Sequence, residues 1–338
     1  MTNGTYVGPH PVAPVPTHLR NALEDALTLW EPIEQFVKDI PDLRRVFLVG
    51  AGGSYIGLQP ALFVLDSEAR TPAAAVNSDE FFFRASPAVQ PGALVIVLSG
   101  TGTTAETVRA GKWAESCGAS VAAVTLKADG PLAQSVKTAF VGSSGDGNQL
   151  LLQLIALAVL ERDGVDVSAH LAALRALPTA IDAAIEAFEP QAAEIAAAMK
   201  DVPVTYAMAS GPLVGPANTF TSCFLQEMQW MHAATINSDE FFQGPFEVFD
   251  RETRSLLFLG EDSTRPMGER VERFLDQYSG PAFRIDTRDL QLPGVPTEQR
   301  GYVAPVVFYA LMFRLAAHYA AVRGYALEGR RYMWQFEY

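Results

Sequence analysis

Short apolar runs alternate with longer amphipathic stretches through much of the chain. In its first part, an apolar run is repeatedly followed by a turn and then by apolar residues at helical spacing. Strands are predicted at residues 45–50, 71–76, 93–99, 119–126 and 138–142, after a Pro-rich arm at 1–16 and a helix at 19–39. Strands that are apolar throughout and alternate with helices are typical of a parallel sheet covered on both faces.

The alternation restarts after an Ala- and Leu-rich stretch, residues 148–200, that has helical spacing. Strands are predicted at residues 204–210, 255–260 and 281–286, a turn and helix at 211–233, and helices at 268–277 and 304–322. The hexapeptide NSDEFF occurs at residues 77–82 and again at 237–242. Because the two copies lie at equivalent places in the two parts, they indicate an ancestral duplication.

These patterns predict an α/β protein of four segments. Residues 1–40 form an N-terminal arm and helix, and residues 41–165 form the first α/β domain. Residues 166–200 form a helical connector, and residues 201–338 form the second domain with a C-terminal tail. At 338 residues, the chain is long enough for two domains of ordinary size.

The composition narrows the range of partners. The net charge of −13 argues against non-specific binding to nucleic acid or to an anionic membrane surface. The two cysteines, Cys117 and Cys223, lack metal-type spacing and are expected to be reduced, and no signal-peptide pattern begins the chain, so we expect a cytoplasmic protein. The apolar run at residues 304–322 carries Arg314 and His318 and is interpreted as a buried helix.

The most informative turn is SGTGTTAET, residues 99–107, which follows a strand and precedes a helix. Free backbone N–H groups, hydroxyls and a helix N-terminus together suit a phosphate dianion. Thr103 and Glu106 have the spacing of a capping box. A second turn, at residues 50–54, is expected at the same edge of the sheet. Its glycines lack the spacing of a dinucleotide site, so no nicotinamide cofactor is predicted.

The turn at residues 99–107 resembles the phosphate loop S-x-S-G-x-T-x-[DE]-T of sugar isomerase (SIS) domains, with Thr101 in place of the second serine. GGSY, at residues 52–55, resembles the turn after their first strand. The resemblance implies two tandem SIS domains over about residues 40–338, each a parallel sheet flanked by helices in three layers (α/β/α). It also implies that a sugar phosphate is bound by Ser54, Ser99, Thr101 and Thr104, with Gly53 beside them.

Candidate acid–base residues lie in EMQWMH, residues 227–232, and in DEFFQGPFE, residues 239–247. Glu227 has apolar neighbours on a predicted helix, where partial burial would raise its pKa towards the working range of a base. These stretches and the ending RRYMWQFEY resemble the fructosamine-6-phosphate and fructoselysine-6-phosphate deglycases, and the isomerase half of glucosamine-6-phosphate synthase. The resemblance implies that Glu227 moves a proton between C1 and C2 of a sugar.

The sequence departs from this family pattern in its histidines. Gln243 stands where the deglycases have a catalytic histidine, and an amide cannot transfer a proton near neutral pH. Tyr325 stands where a second histidine is expected; with Glu240 and Glu247 it is a candidate for the missing acid. His232 is expected to be structural, and no histidine has the spacing of a metal ligand. The absence of any lysine after residue 200 argues against the synthase activity, which needs a lysine in the tail.

The resemblance predicts an enzyme that needs no cofactor and cleaves a phosphorylated Amadori compound to an aldose 6-phosphate and an amine or amino acid. A second hypothesis is an aldose–ketose sugar-phosphate isomerase, or an enzyme that performs an Amadori-type rearrangement in biosynthesis. A third is a noncatalytic sensor of sugar phosphates. Because the family is usually dimeric with shared active sites, the resemblance also implies a homodimer with its active site near the interface.

Overall fold

The computed structural model of the chain describes residues 6–336. They divide into two compact units, which we call the first and the second unit. The first comprises Thr17–Ala180 and Pro293–Val306, and the second comprises the described parts of Met1–Pro16, Ile181–Leu292 and Val307–Tyr338. Each unit is therefore assembled from separate stretches of the chain. The predicted boundaries between four consecutive segments stay a prediction.

The first unit contains a sheet of five strands: β1 (Arg45–Gly50), β2 (Ala73–Asn77), β3 (Ala93–Leu98), β4 (Ser120–Thr125) and β5 (Thr138–Val141). Their order is β2-β1-β3-β4-β5, and each neighbouring pair is parallel. Every residue of the central strand β3 is buried. This burial explains why its sequence is apolar throughout rather than alternating.

The helices of the first unit include α1 (Leu19–Leu27), α2 (Trp30–Lys38), α3 (Gly53–Gly57), α4 (Gln59–Glu68), α5 (Ser78–Arg84), α6 (Ala105–Ser116), α7 (Pro131–Ser135) and α8 (Gly145–Arg162). Helix α8 packs against α1, α2 and α4 and is buried almost throughout. The single helix predicted at residues 19–39 is wrong, because a turn at Thr28 and Leu29 divides it into α1 and α2.

The second unit contains a sheet of four parallel strands: β6 (Thr205–Ala209), β7 (Ala233–Asn237), β8 (Ser255–Leu259) and β9 (Ala282–Asp286). Their order is β7-β6-β8-β9. Helix α10 (Val214–Asn218) continues into the π-helix Thr219–Met228, and α11 (Arg265–Tyr278) follows β8. The chain passes between the units at four points, after residues 16, 180, 292 and 306. Two of these points lie within the long helices α9 (Ser168–Met199) and α12 (Arg300–Arg323). The predicted α/β protein with parallel sheets flanked by helices is confirmed.

The sequence pattern does not predict strand β7, because its first residue is assigned to the end of the preceding helix. In the structure β7 pairs with β6 from Thr205↔Ala233 to Ala209↔Asn237. The edge strand β2 of the first unit pairs with β1 in the same way and ends with Gly50↔Asn77. Each copy of NSDEFF therefore begins on the last residue of an edge strand, at equivalent places in the two sheets.

The second phenylalanine of each NSDEFF copy lies under an arginine. The guanidinium carbon of Arg109 is 5.2 Å from the ring centre of Phe82, and that of Arg270 is 4.1 Å from the ring centre of Phe242. In the second unit, Phe246 packs on Phe242 with ring centres 5.9 Å apart. In the first unit, a groove of about 630 Å³ lies against Phe82. The two units thus have in common a contact between an aromatic ring and a cation but differ in the surroundings of that ring.

The helical segment Thr297–Arg323 is long and apolar enough to cross a membrane by length and composition alone. However, 83% of its most apolar stretch is buried inside the protein. Such burial is the pattern of a core helix, which agrees with the expected buried helix at residues 304–322.

Candidate functional site

The turn between β3 and α6 is held together by its own hydroxyl groups. Oγ of Ser99 and Oγ1 of Thr104 are 2.9 Å apart, and Oγ of Ser99 accepts a hydrogen bond of 3.1 Å from the backbone N–H of Gly102. The hydroxyl of Thr103 donates to Oγ1 of Thr101 at 2.9 Å. Because Ser99 is buried and Thr101 and Thr103 are exposed, the loop has a fixed base and an accessible rim of hydroxyls.

The capping box predicted at Thr103 and Glu106 is wrong. Helix α6 begins at Ala105 with Thr104 as its N-cap, and the side chain of Thr104 makes no capping hydrogen bond. Its hydroxyl is bonded to Ser99 instead. Since the side chain of Thr104 makes no capping hydrogen bond, N–H groups of the first turn of α6 remain free to donate to another acceptor, such as a bound anion.

The turn after β1 leaves the sheet at the same edge as this loop. The parallel register pairs Gly50, the last residue of β1, with Leu98, the last residue of β3. Gly53 and Ser54 begin the short helix α3, where Gly53 is exposed and Ser54 is half-buried. The structure thus places the predicted phosphate-binding residues on two adjacent turns, although their role stays a prediction.

Glu227 lies in a groove of about 650 Å³ formed by the π-helix, the residues after it and the C-terminal segment. The groove is lined by Ser222, Gln226, Glu227, Trp230, Met231, His232, Arg330, Arg331, Tyr332 and Met333. Single π-helical turns are uncommon and are often found at functional sites. The groove is therefore the candidate acid–base site of the second unit.

Two opposing effects act on the carboxylate of Glu227. Burial raises its pKa, and the charge and hydrogen bond of Arg330 act in the opposite direction, with burial the larger effect. Nη2 of Arg330 lies 2.7 Å from Oε1 of Glu227, with the arginine side chain 8% exposed and the glutamate 24%. Burial and the charge of Glu227 raise the pKa of the Cys223 thiol to about 12, so Cys223 stays protonated. A carboxylate with a raised pKa and an accessible groove can act as a general base.

The residues after Glu227 are held by contacts with the segment that follows α12. Nε2 of Gln229 donates to the carbonyl oxygen of Tyr325 at 3.0 Å. The ring of Tyr325 packs edge-on against Trp230, with centres 5.5 Å apart, and against Tyr6 at 5.3 Å. Tyr325 is therefore a packing partner of Trp230 in this structure, and it does not line the groove.

Gln243 and Glu240 lie on a short 3-10 helix, Glu240–Gln243, and both are exposed. Within the part of the chain that the structure describes, neither residue lines the Glu227 groove. His232 does line it and is exposed. The structure therefore brings Glu227 together with His232, but not with Gln243.

Arg330 and Arg331 are groove residues that the sequence analysis did not single out. The sequence could have indicated them, because both arginines belong to the ending RRYMWQFEY, on which the family resemblance partly rests. Over residues 6–336, no group of three or more His, Cys, Asp or Glu side chains is arranged to hold a metal ion.

Comparison with known proteins places this chain in a family. The sequence model of the SIS domain matches residues 40–160. The chain is 32% identical over 323 residues to fructosamine deglycase FrlB of Bacillus subtilis (strain 168). The aligned region covers 90% of this chain and 97% of that protein. The chain belongs to the fructosamine deglycase family of SIS-domain proteins. Fructoselysine 6-phosphate deglycase of Escherichia coli (strain K12) is a more distant member, 24% identical over 305 residues that cover 89% of this chain and 88% of that protein.

Two solved structures have a fold similar to that of this chain. A crystal structure of a candidate phosphosugar isomerase from Bacillus subtilis superposes with a TM-score of 0.87 at 30% identity and covers 94% of this chain and 99% of its own. The C-terminal domain of glucosamine-fructose-6-phosphate aminotransferase from Francisella tularensis superposes with a TM-score of 0.79 at 16% identity, covering 93% of this chain and 95% of its own. The second likeness concerns the fold alone. The predicted resemblance to deglycases and to the isomerase half of the synthase is confirmed.

Proposed function

We propose that this protein is a deglycase that cleaves a phosphorylated Amadori compound, of the fructosamine 6-phosphate type, to an aldose 6-phosphate and an amine or amino acid. The observation that carries the proposal is the half-buried carboxylate of Glu227, which has a raised pKa and lies in a groove of suitable size. Membership of the deglycase family supports it.

In the proposed reaction, Glu227 removes a proton from C1, the carbon between the amine nitrogen and the C2 ketone. The electrons of the C–H bond form a C1=C2 double bond, the π electrons of the ketone move to its oxygen, and protonation of that oxygen gives an enaminol. Protonation at C2 gives an imine, and addition of water releases the aldose 6-phosphate and the amine. The ketone accepts the electrons itself, so we propose that no metal or organic cofactor is required.

For the phosphate, we propose Ser99, Thr101 and Thr104 of the loop, with Ser54 and Gly53 of the adjacent turn. The bond between Ser99 and Thr104 and the exposure of Thr101 support this role. We also propose that the second unit is a second SIS-type domain, because both sheets are parallel and both edge strands end on the asparagine of NSDEFF.

The proposed reaction also needs a group that returns a proton to C2. Gln243 can orient a hydroxyl or a water but cannot transfer a proton itself. The sequence makes Glu240, Glu247 and Tyr325 candidate acids, but within the described residues none of the three lines the Glu227 groove. We therefore propose that water or the substrate's own amine returns the proton to C2.

A substitution at Glu227 tests the proposal. The protein is incubated with fructosyl-glycine 6-phosphate, and glucose 6-phosphate and free glycine are measured. Because a placed base contributes about 10²–10⁴ in rate, we expect Glu227→Gln to lower kcat by roughly that factor. The control is Glu252→Gln, which removes an exposed carboxylate from the same unit. Equal activity of both variants would contradict the assignment of Glu227.

A second candidate is an aldose–ketose isomerase or an enzyme of Amadori-type rearrangement. Gln243 favours it, because a chain that lacks the histidine acid of the deglycases could catalyse a different reaction of the same kind of substrate. Exchange of the C1 proton with solvent deuterium, without release of amine, would support it. Binding without exchange or turnover would instead indicate a sugar-phosphate sensor. A large gain in amine release by Gln243→His would indicate that the deglycase reaction has lost its acid in this chain.

We further propose that the protein is a cytoplasmic homodimer with its active site near the interface. The cysteine content and the family resemblance support these expectations. Sedimentation equilibrium distinguishes a dimer from a monomer, and a monomeric, fully active protein would contradict the dimeric proposal.

A further inference from the structure

The C-terminal segment brings two consecutive arginines to the Glu227 groove, and they have different partners. Nη2 of Arg330 pairs with Glu227 at 2.7 Å, and Nη1 donates to the carbonyl oxygen of Leu327 at 2.7 Å. Within residues 6–336, Arg331 forms no ion pair with a carboxylate. One guanidinium is thus neutralised by the candidate base, and the other lies in the same groove without a carboxylate partner among the described residues.

Arg331 is nevertheless held in place by an aromatic ring. Its guanidinium carbon lies 4.1 Å from the ring centre of Trp230. The backbone of Trp230 has φ 54°, in the left-handed region, a strained conformation for a bulky residue that is found mostly at functional sites. Stacking uses the flat face of the guanidinium and leaves its N–H edge free for a planar acceptor.

We propose that Arg331 binds a carboxylate on the amine part of the substrate and thereby selects conjugates of amino acids. The inference rests on the proposed deglycase function. Glu227 is proposed to act on C1, and in an α-linked amino acid only the nitrogen and one carbon separate C1 from the carboxylate. A residue that lines the same groove as Glu227 is therefore suited to this part of the substrate. Arginine and carboxylate form two parallel charge-assisted hydrogen bonds, which a neutral amide cannot reproduce.

A matched pair of substrates tests this role. Fructosyl-glycine 6-phosphate carries a carboxylate where fructosyl-glycinamide 6-phosphate carries a neutral amide, and the two compounds are otherwise identical. We expect the protein to prefer the glycine conjugate in kcat/KM by roughly 10- to 100-fold, the range for paired charge-assisted hydrogen bonds. Arg331→Gln is expected to remove this preference by lowering the rate with the glycine conjugate, while the glycinamide rate changes less than about two-fold. The matched control is Arg273→Gln, an exposed arginine outside the groove.

Binding is measured in parallel, so that the test does not depend on turnover. The reduced analogues of both substrates, with a C2 hydroxyl in place of the ketone, cannot form the enaminol and are titrated calorimetrically. Tighter binding of the glycine analogue that disappears in Arg331→Gln supports the proposal. Equal binding of both analogues, or an equal loss for both in Arg331→Gln, overturns it. Selective binding without amine release would instead overturn the proposed deglycase function and leave the role of Arg331 in place.

Discussion

At the residue scale, the chemistry of Glu227 depends on the balance between its burial and its arginine partner. Burial alone would leave the carboxyl group protonated over more of the pH range, and a protonated carboxyl cannot accept a proton from C1. Arg330 favours the ionised form and is itself almost fully buried. In the proposed mechanism, Arg330 is therefore a positioning residue that extends the pH range over which Glu227 is ionised and can act as the base.

Removal of Arg330 should shift the pH dependence of the enzyme. In Arg330→Gln the pKa of Glu227 rises, because the favourable charge is lost while burial remains. The acid limb of kcat/KM reports the pKa of the essential base in the free enzyme, so we expect this limb to move to higher pH. Arg330→Lys should restore part of the shift because it restores the charge.

The control for this shift is Arg273→Gln, which removes a positive charge from the same unit away from the groove. Its acid limb should coincide with that of the unmodified protein. A purely structural role of Arg330 would lower the rate at all pH values and leave the limb in place, and that result would contradict the assignment.

Glu227 could be predicted from the sequence as a site residue, whereas its partner Arg330 could not. Glu227 lies in a stretch whose apolar neighbours indicate partial burial, and the family resemblance names its role. Arg330 lies far away in the chain, and the sequence pattern of the tail contains no information on which side chain its guanidinium contacts. The position of Gln243 shows the same limit, because its exposure depends on the fold of the 3-10 helix that carries it.

At the scale of elements, the NSDEFF repeat could have predicted strand β7, because a strand precedes the first copy. The pattern before the first NSDEFF predicts a strand, whereas the equivalent residues before the second copy do not show one clearly. β7 is short and contains the half-buried Thr235, so its own pattern is weak. The capping box failed for a local reason, since the hydroxyl of Thr104 bonds to Ser99 and the helix starts one residue later than expected.

The loop between β3 and α6, which we propose binds the phosphate, depends on the buried hydroxyl of Ser99. In Ser99→Ala, the N–H of Gly102 and the hydroxyl of Thr104 both lose a partner, which disturbs the loop at its base. We expect KM for the phosphorylated substrate to rise roughly ten-fold or more, as for loss of one or two hydrogen bonds near a charged ligand. Ser116→Ala, at the exposed end of α6, is the control. An unchanged KM in Ser99→Ala would remove this serine from the phosphate site.

Two glycines at strand ends should respond differently to alanine. A Cβ on Gly50 would lie 2.9 Å from the backbone nitrogen of Tyr55, whereas on Gly100 the nearest atom is Cδ1 of Leu126 at 3.9 Å. Because backbone cannot move aside cheaply, Gly50→Ala should lower the free energy of unfolding by about 1–3 kcal/mol. Gly100→Ala should stay within about 0.5 kcal/mol. Urea unfolding measures both, and equal effects would contradict this account of the turn after β1.

At the scale of the whole molecule, two of the four points at which the chain passes between the units lie within α9 and α12. On the part of these helices that belongs to the second unit, Glu189 pairs with Arg314 and His318, with Nη2 and Nε2 each 2.9 Å from Oε2. Nη1 of Arg314 also donates to the carbonyl oxygen of Ala13 at 2.6 Å, which fixes the N-terminal arm. The cluster thus joins three distant stretches of sequence within one unit.

Loss of this cluster should weaken the protein and change its response to acid. Hydrogen bonding from Arg314 lowers the pKa of Glu189 below its ordinary value. A carboxyl group with a lowered folded pKa stabilises the protein above its unfolded pKa, and this stabilisation is lost as pH falls through the folded pKa. Glu189→Gln leaves Arg314 buried without a counter-charge, so the free energy of unfolding at neutral pH should fall by roughly 2–4 kcal/mol.

The matched control is Glu186→Gln, which removes an exposed carboxylate from the same helix. Urea unfolding is followed at neutral pH and again at acid pH for both variants and the unmodified protein. Between these pH values, Glu189→Gln should lose less stability than the other two, because the contribution that acid removes is already absent. If Glu189→Gln and Glu186→Gln were equally stable at neutral pH, the ion pair would contribute nothing net to stability, and this account of the cluster would be contradicted.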